Sequence, residues 1–164
     1  MTVSPLRFIP IDINKDLELA IAFRADSFLL SYGDPSVFLG SDGQGRLEYE
    51  QFIRNRVSVF PEGHVHVWKA GEIIGQIECI PRKNNPEIGY VNLFYLREDH
   101  RSKGLGSKLD AHVVKVLSTM HCKKLQLRVM PTNTIAIRFY ENHGWRKTVD
   151  MESKSGELGM EKRL

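Results

Sequence analysis

The stretch Arg101-Ser102-Lys103-Gly104-Leu105-Gly106 stands between a strand-like run, Ile88 to Leu96, and a helix-like one, and its reading decides the fold. Ile88 to Leu96 is rich in Tyr, Val, Leu and Phe, side chains that suit a pleated, half-buried surface. Beyond the turn, Leu105, Leu109, Val113, Val116, Leu117 and Met120 recur at helical spacing and predict a long amphipathic helix. A turn that opens such a helix presents backbone N–H groups without partners. Its glycines let the backbone approach an anion closely, the helix N-terminus adds partial positive charge, and Arg101 and Lys103 add full charges. Gly106-Ser107-Lys108 lacks the run of a Walker loop, and Leu109 stands where a dinucleotide fingerprint has its third glycine.

Further along, Leu125, Leu127 and Val129 alternate with Gln126, Arg128 and Met130 as a strand, and Pro131-Thr132-Asn133 opens a helix that ends at Gly144. Strand, helix and strand in this order favour a parallel pair joined by a right-handed crossover. The tail from Trp145 to Leu164 reads as a closing hairpin around Lys154-Ser155-Gly156. Towards the N-terminus, Val65 and Val67 and then Ile73, Ile74, Ile77 and Ile80 flank Ala70-Gly71-Glu72 as a hairpin. Before it, Leu6, Phe8, Ile11 and Ile13 form an opening strand interrupted by Pro10, and a helix follows to Leu30. Tyr32-Gly33-Asp34-Pro35 breaks that helix, and the glycine-rich loop Gly40 to Gly45, a candidate substrate lid, leads to a second helix from about Arg46 to Val57. The expected fold is α/β: a mixed sheet with a central parallel pair, antiparallel strands elsewhere, and flanking helices, in one domain over residues 1–164.

Composition narrows the classes of function. An apolar share of 41% with 26% charged residues is globular, and a net charge of +3 is too small to read as a nucleic-acid footprint. Two cysteines without C-x-x-C spacing fit a reducing compartment. No apolar run approaches the roughly 18 residues a membrane helix requires, so the reading is cytoplasmic, with no membrane and no nucleic acid as partner. The six histidines show no metal-ligand spacing, and no metal is expected.

Arg101 to Gly106, preceded by the strand Val91 to Leu96, resembles the cofactor signature Gln/Arg-x-x-Gly-x-Gly/Ala of the GNAT acetyltransferases. Asn133-Thr134-Ile135-Ala136-Ile137-Arg138-Phe139-Tyr140, followed by Gly144-Trp145, is similar to that family's second well-marked segment, Asn-x-x-Ala-x-x-x-Tyr. The two segments stand in the family's order, with one helix and one strand between them. The resemblance implies a mostly antiparallel sheet with a splayed parallel pair, acetyl-CoA as acyl-donor cosubstrate, and a primary amine as acceptor. It assigns cofactor binding to Phe94, Tyr95, Leu96, Arg101, Ser102, Lys103, Gly104, Leu105, Gly106, Asn133 and Tyr140. It also implies direct attack of the amine on the thioester through a tetrahedral intermediate, with a backbone N–H near Phe94 polarising the carbonyl.

Tyr140 is the implied acid for the departing thiolate, although a tyrosine on an apolar helix face is ordinarily core. Many members carry Glu where this chain has Tyr90, so the base is sought among Glu78, taken here as the catalytic carboxylate, and Glu87. The acceptor is a small-molecule or peptide amine, and the resemblance allows a homodimer without any residue that establishes one. Two rivals remain: a non-catalytic acyl-CoA-binding regulatory module, and, ranked well below it, a nucleic-acid-binding domain using the basic segments Arg97 to Lys108 and Lys123 to Arg128.

Overall fold

The computed structural model describes residues 4–34, 36–40, 42–151, 153 and 155–164. The opening apolar run divides in two because Asp12 is a helix cap. Its carboxylate accepts the N–H groups of Asn14 and Lys15 at 3.0 and 3.2 Å, so Ile13 begins a helix instead of ending a strand. Strand β1 is therefore only Arg7–Pro10, and helix α1 runs Ile13–Tyr32, two residues beyond the expected Leu30, to a left-handed Gly33 at φ 72°. The stretch after α1 holds a short helix that the sequence pattern does not predict, α2 (Ser36–Leu39), between the break at residues 32–34 and the expected loop from Gly40, before α3 (Gln44–Val59). Phe38 anchors α2, its ring 5.2 Å from Phe28 and 5.5 Å from Tyr49. Pro35 and Ser41 of that segment lie outside the described residues.

Strands β2 (His64–Lys69) and β3 (Glu72–Pro81) pair through the turn Ala70-Gly71, both residues left-handed as a two-residue hairpin requires. Then follow β4 (Ile88–Leu96), α4 (Gly106–Thr119), β5 (Lys124–Val129), α5 (Thr134–Asn142), β6 (Arg146–Thr148) and β7 (Leu158–Arg163). The strands form a seven-stranded sheet in the order β1-β2-β3-β4-β5-β7-β6, antiparallel throughout except for β4 and β5. Pro10 sits in an edge strand, where its missing N–H breaks no central ladder.

Alternation along β2 assigns the two faces. Val65 and Val67 join the main core with Leu109, Val113 and Leu117 of α4. His64 and His66 turn the other way, where His66 meets Phe23 of α1 edge-on. Gly89 marks the close approach of α4, since a Cβ there would lie 2.6 Å from a Leu117 methyl and 2.8 Å from one of Leu125. A bulge positions the functional region. Pairing with β3 passes from Glu78↔Leu93 to Cys79↔Val91 and leaves Asn92 without a partner residue. The extra residue bends β4 and exchanges its faces, so that Val91 lies in the main core while Leu93 and Tyr95 pack with Phe23. Parallel pairing with β5 stops just before it, covering only Ile88 to Tyr90 against Lys124 to Gln126.

Both buried histidines are held as neutral rings. His64 Nδ1 lies 2.9 Å from the Phe60 carbonyl and His66 Nε2 lies 2.8 Å from Gln76 Oε1, acceptors that each fix a proton on the facing nitrogen. Burial lowers both below the ordinary 6.5, more than their hydrogen bonds raise them. Acidification through that value therefore protonates the unfolded chain before the folded one, and stability present above it is lost as pH falls towards the folded values. Thermal unfolding followed by circular dichroism is expected to show Tm falling between about pH 7 and pH 5, with a shallower fall in a His64→Asn, His66→Gln variant.

Candidate functional site

Where β4 and β5 diverge, a cleft of about 340 Å³ opens, walled by α1, the ends of both strands and α5. At its far end β4 finishes at Leu96, one turn of 3-10 helix follows over Glu98–His100, and the chain reaches Arg101. Arg101 is a tether as well as a charge. Its Nε donates to the Leu96 carbonyl at 2.7 Å, and its guanidinium lies 3.3 Å from Asp26 and over the Tyr95 ring. Ser102 and Gly104 are both left-handed, at φ 59° and 77°, and present the turn Ser102-Lys103-Gly104 to solvent. Among the described residues no side chain caps α4, which leaves the first N–H groups of that helix without side-chain partners at the same turn.

The two glycines have different physical reasons. A Cβ on Gly104 would meet nothing within 4 Å, which leaves room for a ligand against the backbone. A Cβ on Gly106 would lie 2.6 Å from the Phe139 ring, so Gly106 lets α4 and α5 close on each other. An uncapped helix start, an open left-handed glycine and the adjacent Lys103 are together the donor set that a pyrophosphate fits. Leu105 offers only its backbone, because its side chain is in the main core.

Tyr140 borders the same cleft from α5, its ring 6.0 Å from Phe94 and 5.8 Å from Trp145. Burial, and secondly the charge of Asp110, push its phenol well above the ordinary tyrosine value, so the hydroxyl keeps its proton. Asp110 is buried on α4, where its carboxylate accepts Trp145 Nε1 at 2.8 Å and Lys162 Nζ at 2.6 Å. Asn133 caps α5 by accepting the Ala136 N–H at 3.3 Å and also borders the cleft.

Phe94, Tyr95, Leu96, Arg101, Asn133 and Tyr140 thus come together around one cavity, whereas Ser102, Lys103, Gly104, Leu105 and Gly106 do not line it; Ser102, Lys103 and Gly104 stand exposed just beyond Arg101. Tyr95 is anchored, with its hydroxyl donating to Asp26. Glu78 does not border the cleft. It is fully buried on β3, where Oε2 accepts Tyr49 Oη at 2.7 Å and Gln76 Nε2 at 2.9 Å, and Oε1 lies 3.5 Å from an Arg24 nitrogen. Arg24 does border the cleft and donates to the Asn92 carbonyl at 2.9 Å, which ties the buried carboxylate to the bulge. Glu87 is exposed and paired with Lys123 at 2.7 Å. No described residue between Ser36 and Gly45 borders the cavity.

Sequence reasoning passed over Arg24, Asp110, Tyr32 and Glu157. Asp110 left a signal, because it falls three positions before Val113 and seven before Leu117, on the buried face of α4. The other three left none, since their meeting depends on segments far apart in the chain.

Similarity to known proteins agrees with this geometry. Over 72 residues the chain is 33% identical to N-alpha-acetyltransferase 60 of Xenopus tropicalis, covering 42% of this chain and 29% of that protein. Over 76 residues it is 29% identical to the spermine/spermidine N(1)-acetyltransferase of Bacillus subtilis (strain 168), covering 46% of this chain and 49% of that protein. The chain therefore spans less than half the length of these relatives. The PaiA N-acetyltransferase of Thermoplasma acidophilum, solved in complex with coenzyme A, superposes with a TM-score of 0.77 at 17% identity, over 98% of this chain and 99% of that one. That likeness establishes the fold. Residues 28–145, which carry the splayed strands, the uncapped turn and Tyr140, match the model of the acetyltransferase (GNAT) family, and to that family the chain belongs.

Proposed function

We propose that this protein is an acyltransferase that moves an acetyl group from acetyl-CoA to a primary amine of a small molecule or peptide, with residues 1–164 acting as one catalytic domain. The observation that carries the reading is the gap between β4 and β5, a cleft lined by Tyr140 and by Arg101, the residue that opens the turn into the uncapped start of α4. The pyrophosphate of the cosubstrate rests on the backbone N–H groups of residues 101–106, with Lys103 beside it. The pantetheine arm lies along β4 at Phe94, Tyr95 and Leu96, as an added strand would, with Asn133 across from it. The amine attacks the thioester directly, a backbone N–H near Phe94 receives the developing oxyanion, and Tyr140 protonates the departing sulfur. Glu78 enters as the buried carboxylate that holds Arg24 at the cleft. The cytoplasm is the compartment this reading favours, in keeping with two free cysteines.

Calorimetric titration with acetyl-CoA is the direct test. Native protein is expected to bind, and Gly104→Glu is expected to weaken binding at least about a hundredfold, because a carboxylate would fill the open space and repel the phosphates. No native binding overturns the proposal. A non-catalytic acyl-CoA-binding regulatory module is the second reading. Tyr90, at the strand position where many GNAT members carry Glu, favours it, with the Arg82 and Arg128 guanidiniums 4.5 and 5.6 Å from its ring. Binding without turnover on any amine would select it.

A further inference from the structure

Most polar side chains that border the cleft are already engaged. Tyr95 donates to Asp26, Tyr32 donates to Glu157 at 3.1 Å, Ser27 donates to the Arg24 carbonyl at 2.7 Å, and Arg101 is tied to Leu96. Asn92 borders the same cleft and differs from them. Its Oδ1 is shut off from water and accepts no hydrogen bond among the described residues. A polar atom left in that state costs the fold stability, and one at the wall of a cleft points to a ligand that relieves it. The backbone beneath is fixed, since the bulge leaves Asn92 without a partner residue on β3 and Arg24 donates to its carbonyl at 2.9 Å. The side-chain amide can turn about its broad terminal torsion, because no hydrogen bond of its own holds it among the described residues.

Position along β4 decides which part of the reaction this amide meets. In the proposed binding mode the pyrophosphate rests at the turn from Arg101, and the pantetheine arm runs back along Leu96, Tyr95 and Phe94. Asn92 stands two residues before Phe94, beyond the thioester end, where the acceptor arrives. Two residues of extended strand span about 6.6 Å. That is roughly two hydrogen bonds of about 2.9 Å end to end, with the reacting carbon between them. The backbone N–H near Phe94 takes the carbonyl oxygen, and Asn92 is left for the nitrogen.

Resting on the acetyltransferase reading above, we infer that Asn92 turns its amide oxygen into the cleft, accepts one N–H of the attacking amine, and so confines the acceptor to primary amines. The amine attacks as R–NH2, with two hydrogens on nitrogen. One stays on Asn92 throughout and remains on the product amide. The lone pair, aimed by that hydrogen bond, forms the C–N bond to the thioester carbon. As the C–S bond breaks, sulfur takes the Tyr140 hydroxyl proton, and the other hydrogen leaves nitrogen as a proton and restores Tyr140. Amide and CoA thiol then account for every atom. A secondary amine has a single hydrogen, which must leave, so it cannot keep one on Asn92 and the amide oxygen is left unpaired beside the reacting centre.

The test follows thiol release from acetyl-CoA with alanyl-alaninamide and with benzylamine, each beside its N-methyl derivative, in native protein, Asn92→Ala and Asn92→Asp. Asn92→Ala is expected to lower kcat/KM for the primary amines at least about tenfold and to leave the N-methyl amines within about twofold of their native values. Acetyl-CoA affinity is expected to be unchanged, and Tm to stay level or rise, since an unpartnered carbonyl is removed. Asn92→Asp keeps the accepting oxygen and loses the amide donors, and is expected to recover the primary-amine value to within about fivefold of native. The inference is overturned by an unchanged rate in Asn92→Ala, by an equal loss for primary and N-methyl amines, or by Asn92→Asp as slow as Asn92→Ala, which makes the amide a donor. Native protein that binds acetyl-CoA yet uses neither primary amine overturns it as well. Native protein that does not bind acetyl-CoA instead overturns the proposed function.

Discussion

Tyr140→Phe is expected to lower kcat for acetyl transfer by about 10²- to 10⁴-fold, the contribution of a positioned proton donor, while acetyl-CoA affinity stays within about twofold. The substitution removes one oxygen and leaves the ring among Phe94, Phe139 and Trp145. Packing and the shape of the cleft are therefore retained, and the loss falls on the step that needs a proton. Because burial and Asp110 hold the phenol well above its ordinary value, Tyr140 is protonated throughout the neutral range. The native profile should thus show no alkaline decline from Tyr140 near neutrality. Steady-state kinetics with an accepted amine, paired with calorimetric titration of acetyl-CoA, separates the two quantities. Unchanged turnover removes the acid role and leaves Tyr140 as a wall of the cleft.

Much of the frame around Tyr140 is legible in the sequence, for a local reason. Strand β4 has the expected bounds, Ile88 and Leu96, because a β-branched and aromatic run between polar breaks has few alternatives. The buried stripe of α4 includes Leu109, Val113 and Leu117, as helical spacing requires. What sequence hides is set by contacts between elements. Helix α2 is four residues long and is held by Phe38 against two other helices, so no periodicity announces it. The bulge at Asn92 is a relation between two strands, and a pattern confined to one strand cannot reveal it. The expected strand through Ile13 failed because a cap at Asp12 outweighed the apolar run.

The candidate site divides in the same way. Gly104, Gly106, Asn133 and Tyr140 are visible because each sits at a fixed offset from a helix end. Arg101 reads as a charge for an anion, and its side chain also locks the end of β4. Carboxylates are the least legible part. Glu78 and Glu157 are alike in a linear reading, yet one is sealed beneath Arg24 and the other opens on the cleft.

That difference makes Glu78→Ala the substitution with the largest expected effect on stability. Glu78 is fully buried and anchors a network in which Gln76 joins Tyr49, His66 and the carboxylate, while Arg24 closes it towards the cleft. Removing one partner of a buried ion pair leaves the other desolvated and unmatched, a loss of about 3–5 kcal/mol. For a chain of this size that lowers Tm by about 10 °C, readable by calorimetry or circular dichroism. Arg24 also donates to the carbonyl of the bulged Asn92, so the same variant should loosen the splay and weaken acetyl-CoA binding. A paired Arg24→Met, Glu78→Leu variant separates the two consequences. With both charges gone, most of the lost stability should return, because no desolvated charge is left without its partner, and the remaining shortfall of about 1–3 kcal/mol is that of the buried Tyr49 hydroxyl left without its acceptor. Acetyl-CoA binding should remain weak, because nothing then holds the Asn92 carbonyl. Recovery of both would reduce the Arg24–Glu78 pair to a component of the core, whereas recovery of stability alone makes it the brace that keeps β4 apart from β5.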